Sequence, residues 1–349
     1  MPGLMERKTG APTIPEIWRS SLDESAVSVD WSASGAWLAA ASANGTVSIF
    51  DAGNGECVQK LSAHRFAATQ VAWHPQDARF ATAGQDGSVR IWDARLDGLV
   101  RELDCGAEWV EHIAWSDSGR LLATAAGGKL KLWTKDGELI REYPDHSNTI
   151  AAIAWKTGAE ELASACYGKL QFWTPDKSEV LRTFAWKGSM LSLAWSPDGR
   201  YLCHGNQDAT VHFWIVKTGK ELQMWGYPTK VRELAWDHRS RYLATGGGSD
   251  ITVWDCAGKG PANTKPTVLN FHRAPLSHLA YQRNGGALAS CCEEGQLALW
   301  KPSKRKEPDA IALLPAAVTG VSWSPDDRLF AAIAEDGSVA VYSPPDKAG

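Results

Sequence analysis

Four residues of this chain have the types that nucleophilic catalysis uses. They are an imidazole at His64, a hydroxyl at Thr82, a carboxylate at Asp86 and an indole at Trp92. Hydroxyl, imidazole and carboxylate in one hydrogen-bonded row make a nucleophile where a substrate can reach it. Buried, the same row satisfies polar groups and pins a turn to its neighbour. The pattern returns in thinner form. His146, Ser164 and Trp173 repeat it without an acid, and His272, Ser290, Glu294 and Trp300 repeat it with one. His204 stands at a hydroxyl position, followed by Asp208 and Trp214.

Other chemistry is thin. Cys291 and Cys292 are adjacent, and neighbours on a strand point to opposite faces, so they are poorly placed to chelate together. No HExxH, GxSxG or phosphate-binding glycine loop occurs. The pairs Glu160-Glu161 and Glu293-Glu294 sit at turns and read as solvated. The expectation is a non-enzymatic protein with no catalytic residue, no cofactor and no metal.

The elements that carry these residues are copies of one module. Its template is Val71 to Asp93: an apolar run to Trp73, a turn at Pro75 to Asp77, a strand around Phe80, a tight Asp86-Gly87 hairpin, and alternation through Val89, Ile91 and Trp92. One aromatic recurs at Trp31, Trp73, Trp115, Trp155, Trp195, Trp236, Tyr281 and Trp323. A second recurs at Phe50, Trp92, Trp133, Trp173, Trp214, Trp254, Trp300 and Tyr342, always 18 or 19 residues later. Successive units are offset by 40 to 45 residues. Thirteen of the 18 tryptophans fall on these positions, so the tryptophan content is mainly architecture. Seven residues after the first aromatic comes a Leu or Phe, and then a small residue, Ala or Cys203, which suggests close sheet-to-sheet contact.

Such a period with four short strands per unit resembles the WD-repeat propellers. The WD dipeptide itself stands at Trp92-Asp93 and Trp254-Asp255, with Phe50-Asp51 a near match. The resemblance covers nearly the whole chain, which looks like stand-alone bacterial members of that family. It implies an all-β fold: an eight-bladed β-propeller of four-stranded antiparallel blades. It implies that His64, Thr82, Asp86 and Trp92 form a structural relay. It also implies a top face, made of outer-to-inner loops and hairpin turns, that binds partners. A looser association of such bacterial proteins points to an accessory of a metal-homeostasis or GTP-hydrolysing partner.

Counting strands predicts how the ring closes. Eight three-strand units are followed by only seven outer strands, Cys57–Leu61 being the first and Ala310–Leu314 the last. Residues 14–22 (IPEIWRSSL) precede the first inner strand and can fill the vacancy, removing a free sheet edge. The expected organisation is a flexible tail over 1–13, a single propeller over 14–343 with 14–22 as outer strand of the last blade, and a C-terminal tail over 344–349.

The net charge of −4 and sequence pI near 6.2 give no case for nucleic acid or an anionic membrane as partner. Seven scattered cysteines without CxxC fit a reducing compartment. No run of 18 apolar residues and no signal region occurs, so a cytoplasmic monomer is expected. The candidate partner surface is Arg65, Phe66, Trp109, Trp186, Lys187, Tyr227, Lys230, Arg232 and Arg273 on the top loops. Exposed aromatics beside arginine would make a hot spot. Trp186 and Tyr227 stand at the histidine position of the relay, so they either replace that histidine internally or project outward. Glu24, Glu108, Glu111 and Asp145 lie elsewhere on that rim. Gln70, His112, Ser192, Glu233 and His278 start inner strands and could line the channel, with His112, Glu233 and His278 the candidates for a small-molecule or enzyme site there. The insertion Cys256–Pro266 and the basic run Lys301–Lys306 belong to the bottom face and read as solvated loops.

Overall fold

The two repeated aromatics and the aliphatic residue between them form one row across three strands. Trp73 pairs with Phe80 and Phe80 with Trp92; Trp155 pairs with Leu162 and Leu162 with Trp173. All eight units share this register. Side chains alternate along a strand, so the aromatic row and the small residues beside it face opposite sides. The computed structural model describes residues 10–95, 98–106, 109–258, 260–262 and 264–345. They form eight four-stranded sheets, the blades, numbered here in the order of their inner strands.

The core lies between blades. Its eight buried clusters each join two neighbours, blade 8 with blade 1 included. Ala39, Ala41, Val47 and Ile49 of blade 1 meet Val71, Trp73, Phe80 and Trp92 of blade 2. Small residues on one wedge leave room for the aromatics of the next, and each large side chain so buried contributes about 1.5–3 kcal/mol. Five first-position indoles also bond the preceding blade: Trp31 Nε1 donates to the Ser322 carbonyl, Trp115 to Ala72, Trp155 to Ala114, Trp195 to Ala154 and Trp323 to Ala280. Inner strands would otherwise expose backbone groups. Ser28 Oγ accepts the Val71 N–H at 3.1 Å, and Gln70 Oε1 accepts that of Ile113 at 2.9 Å.

Closure is made by the strand Glu16–Ser21, antiparallel to Ser338–Tyr342. Trp18 is buried there and donates to the Ala52 carbonyl of blade 1 at 2.8 Å. Ile14 and Leu22, the ends of the expected strand, are buried but flank it. The preceding residues are tied to blade 7. Ile311 N–H donates to the Pro12 carbonyl at 3.0 Å, and Ile14 N–H to the Ile311 carbonyl at 2.8 Å, a parallel bridge. Ala11 is buried between blades 6 and 7. The stretch 11–13, assigned above to a flexible tail, is therefore laid along a sheet edge. Residues 1–9 and 346–349 of the two expected tails lie outside the described residues. Among the described residues no helix is long and apolar enough to cross a membrane.

Candidate functional site on the top face

Each inner strand follows an outer strand, and four antiparallel strands bring the chain back to the end where it started. Outer-to-inner links and second-to-third hairpins therefore share one end, the top. The relays are built there. Trp92 Nε1–H donates to Thr82 Oγ1 at 3.0 Å, Thr82 Oγ1 lies 2.9 Å from His64 Nε2, and His64 Nδ1 lies 3.0 Å from Asp86 Oδ1. This order places the imidazole proton on Nδ1 and makes Thr82 the donor to Nε2. Asp86 also accepts from Ser88 Oγ at 2.7 Å and from the Arg65 N–H at 3.0 Å. Thr82 has no exposed surface, so no substrate reaches its hydroxyl. The row links a hairpin to the loop of the preceding outer strand.

The other units vary this theme. His146 Nε2 lies 2.8 Å from Ser164 Oγ and His272 Nε2 2.7 Å from Ser290 Oγ, with Trp173 and Trp300 donating to the same hydroxyls. Both histidines leave Nδ1 without a partner. Glu294 does not join its row. Gln296 instead accepts the Arg273 N–H at 3.0 Å, as Asp86 does for Arg65. Tyr227 replaces the histidine of blade 6: its Oη lies 2.8 Å from Thr245 Oγ1 and accepts Trp254 Nε1–H at 3.0 Å. Trp186 also turns inward, its ring centroid 3.6 Å from that of His212. These two residues thus leave the candidate surface. His204 bonds Asn206 Oδ1 at 2.8 Å, and Asp208 accepts from Thr210.

The remaining candidates are exposed in two sectors. Arg65 and Phe66 stand on the loop into blade 2, and Trp109 on the loop into blade 3; Phe66 is 57% and Trp109 54% exposed. Lys187, Lys230, Arg232 and Arg273 stand on the loops into blades 5, 6 and 7. Lys230 and Arg232 border a hollow of about 280 Å³ that also holds Glu233 and Glu293. Glu24 and Asp145 are exposed, Glu111 accepts the Gly127 N–H at 2.9 Å, and Glu108 lies outside the described residues. Two exposed top-face aromatics escaped the sequence reading. Tyr167 lies in the blade 4 hairpin, and Trp225, 79% exposed, follows the outer strand Lys220–Met224. Met224 pairs with Val211 and fills the inward position. Leu61 and Leu103 hold that inward place at 11 residues from their aromatics and Met224 at 10 from Trp214, so spacing alone would assign it to Trp225 and carried no signal of the exposed ring.

The channel has a hollow of about 390 Å³ bordered by Asp30, Gln70, His278 and Thr319. Burial lowers the pKa of His112 and His278 and raises that of Asp30 and Glu233. His278 is solvent-exposed into the channel while protein surrounds it. Cys291 Sγ lies 3.4 Å from Ser277 Oγ and Cys292 Sγ 3.5 Å from Gln296 Oε1. Among the described residues no three His, Cys, Asp or Glu side chains gather as a metal site.

The family model "WD domain, G-beta repeat" matches residues 55–93, 98–134, 178–214, 219–255 and 311–343. A second model, "Anaphase-promoting complex subunit 4 WD40 domain", matches residues 13–73. Among solved structures, the computationally designed protein Ika8 is similar at a TM-score of 0.82 and 18% identity, over 95% of this chain and 100% of the designed one. At that identity the likeness is one of fold alone.

Proposed function

The chain belongs to the WD40-repeat family, and on that premise we propose that it is a non-catalytic scaffold whose top face captures a protein or peptide partner. Propellers of this family typically serve as protein-interaction platforms, while the fold by itself names no activity. The observation that carries the reading is the pair Phe66 and Trp109, about half exposed on neighbouring loops with Arg65 beside them. Large rigid aromatics next to an arginine supply binding area at small entropic cost. The complete blade 2 relay holds the Arg65 backbone, so this part of the surface is preorganised.

Affinity capture from the native host tests it, with wild type, Phe66→Ala/Trp109→Ala and a Val58→Ala control on the outer rim as baits. A partner retained by wild type and the control, and reduced at least tenfold by the double variant, is expected. Equal recovery by all three baits removes this surface.

A further inference from the structure

Blade 7 is the one repeat whose first aromatic is a tyrosine. A tryptophan there would extend toward the carbonyl of Ala235, as five other indoles do in their own units. Tyr281 is shorter, and its Oη is buried without a hydrogen-bond partner. Beside it, on the bottom of blades 6 and 7, is a hollow of about 360 Å³. It is bordered by Asp237, His238, Arg239 and Arg241 from the blade 6 turn, and by Tyr281 and Ser303 from blade 7.

The wall is rich in donors. His238 Nδ1 lies 2.7 Å from the Gly285 carbonyl, which places its proton there and leaves Nε2 to accept Arg239 Nε–H at 3.1 Å. Arg239 is thereby oriented, with both terminal nitrogens making no hydrogen bond or ion pair among the described residues. Arg241 spends Nε and Nη2 on Asp255, at 3.3 and 2.9 Å to Oδ2. Asp237 is the one carboxylate on the wall, and its Oδ1 already accepts the N–H groups of Arg241 and Tyr242, each at 2.6 Å. Burial raises the Tyr281 pKa, so its phenol remains a donor. The basic loop leaving blade 7 adds Lys304 and Lys306, exposed and without ion pairs among the described residues.

We propose that this hollow binds a phosphate monoester, whose oxygens would take Arg239, Arg241, Ser303 and the otherwise unpartnered Tyr281 hydroxyl. Guanidinium groups suit phosphate oxygens, and a volume in this range admits a phosphoryl group with a small body attached. The site is at the opposite end of the ring from the partner surface and does not depend on it.

Titration calorimetry of the full chain with O-phosphoserine, ribose 5-phosphate and inorganic phosphate tests the proposal and separates its sources. Saturable one-to-one binding of at least one monoester, tighter than inorganic phosphate, is expected. Arg239→Ala should weaken it about tenfold or more, the loss of a charge-assisted hydrogen bond. Tyr281→Phe, which removes only the unpartnered hydroxyl, should weaken binding severalfold without lowering the melting temperature. No saturable binding of any monoester at millimolar concentration overturns the proposal. So does binding that Arg239→Ala and Tyr281→Phe both leave intact, since the exposed lysines would then account for it.

Discussion

Blades 2 and 5 share one row of backbone pairs and are pinned in opposite ways. In blade 2, His64, Thr82, Asp86 and Trp92 are joined end to end, and Asp86 gathers further donors. In blade 5 the equivalent volume is filled by rings. His204 and His212 stack with planes 9° apart, and Trp186 lies against His212. Trp186 Nε1, Trp214 Nε1, His204 Nε2 and both His212 nitrogens are buried without a hydrogen bond; Glu221 approaches His212 Nδ1 only to 3.7 Å. The hairpins differ as well: Gly87 has φ 77°, while the same bend in blade 5 is made by Ala209 at φ 61°. A propeller wedge can thus be held by directed bonds or by ring packing. The second choice leaves polar atoms that each cost about 1–3 kcal/mol when unpaired.

The largest expected effect is at the acid. Asp86→Ala would strand His64 Nδ1 and the Arg65 N–H and remove the ion pair that Oδ2 makes with the Arg90 guanidinium at 3.1 Å, and should destabilise by about 3–5 kcal/mol, the range for breaking a largely buried charged pair. Asp208 occupies the corresponding place in blade 5 but is exposed and, among the described residues, accepts only from Thr210 Oγ1. Asp208→Ala should cost less than about 1 kcal/mol. Urea unfolding of the two variants measures both. Equal losses would mean that blade 5 has a hidden relay and that the contrast is wrong.

The eight-fold row was legible in the sequence because tryptophan spacing carries it, and the closing strand was legible because strands could be counted. What the pattern could not supply is the direction of a single ring. Tyr227 and Trp186 sit at a histidine position, and an amphipathic ring satisfies the spacing whether it turns in or out. Glu294 aligns with Asp86, yet it carries one more methylene and stays exposed, while Gln296 takes over the loop N–H. Ala11 to Ile14 has no alternation and contains Pro12, so nothing in it announced a parallel bridge to blade 7. Trp225 was hidden by a one-residue difference in where the blade 5 outer strand ends. Tyr281 breaks the tryptophan pattern, but the hollow beside it was not legible, because its arginines come from the neighbouring repeat.

Acid should separate the two blades next. Burial lowers His204 to about 3, with His272 also at about 3 and His146 at about 4. Unfolded histidine titrates near 6.5. Between 6.5 and the folded value, the unfolded chain binds the proton and the folded chain does not, so each histidine removes about 1.4 kcal/mol per unit of falling pH. Asp86 acts in a lower window. Burial would raise its pKa, but bonds from Arg65 N–H, Ser88 and His64 outweigh it and hold the carboxylate well below the usual range. Its stabilisation is full above about 3.9 and is lost below that. Burial lowers His64 too, but Asp86 opposes the shift. From pH 7 to 5, amide exchange corrected for intrinsic rate should show Tyr201–Asn206 losing protection before Arg79–Gly84. Equal losses in these strands would erase the distinction.

The finest test exchanges the hairpin residues. A side chain in the left-handed region costs roughly 1–2 kcal/mol because Cβ crowds the following carbonyl oxygen. Ala209 bears that strain in the blade that already lacks a relay. Ala209→Gly relieves it, but glycine also gains freedom in the unfolded chain, which takes back about 0.4–1 kcal/mol. The net gain should be about 0.5–1 kcal/mol. Gly87→Ala imposes the strain on blade 2 and should lose about as much. Opposite signs in matched unfolding curves would show that the two hairpins differ in backbone strain apart from their hydrogen bonds. A loss in both would mean that blade 5 has adapted its packing around the Ala209 methyl. The stack of Trp186 on His212 would then extend to the turn, and ring packing would be setting the hairpin as well as the wedge.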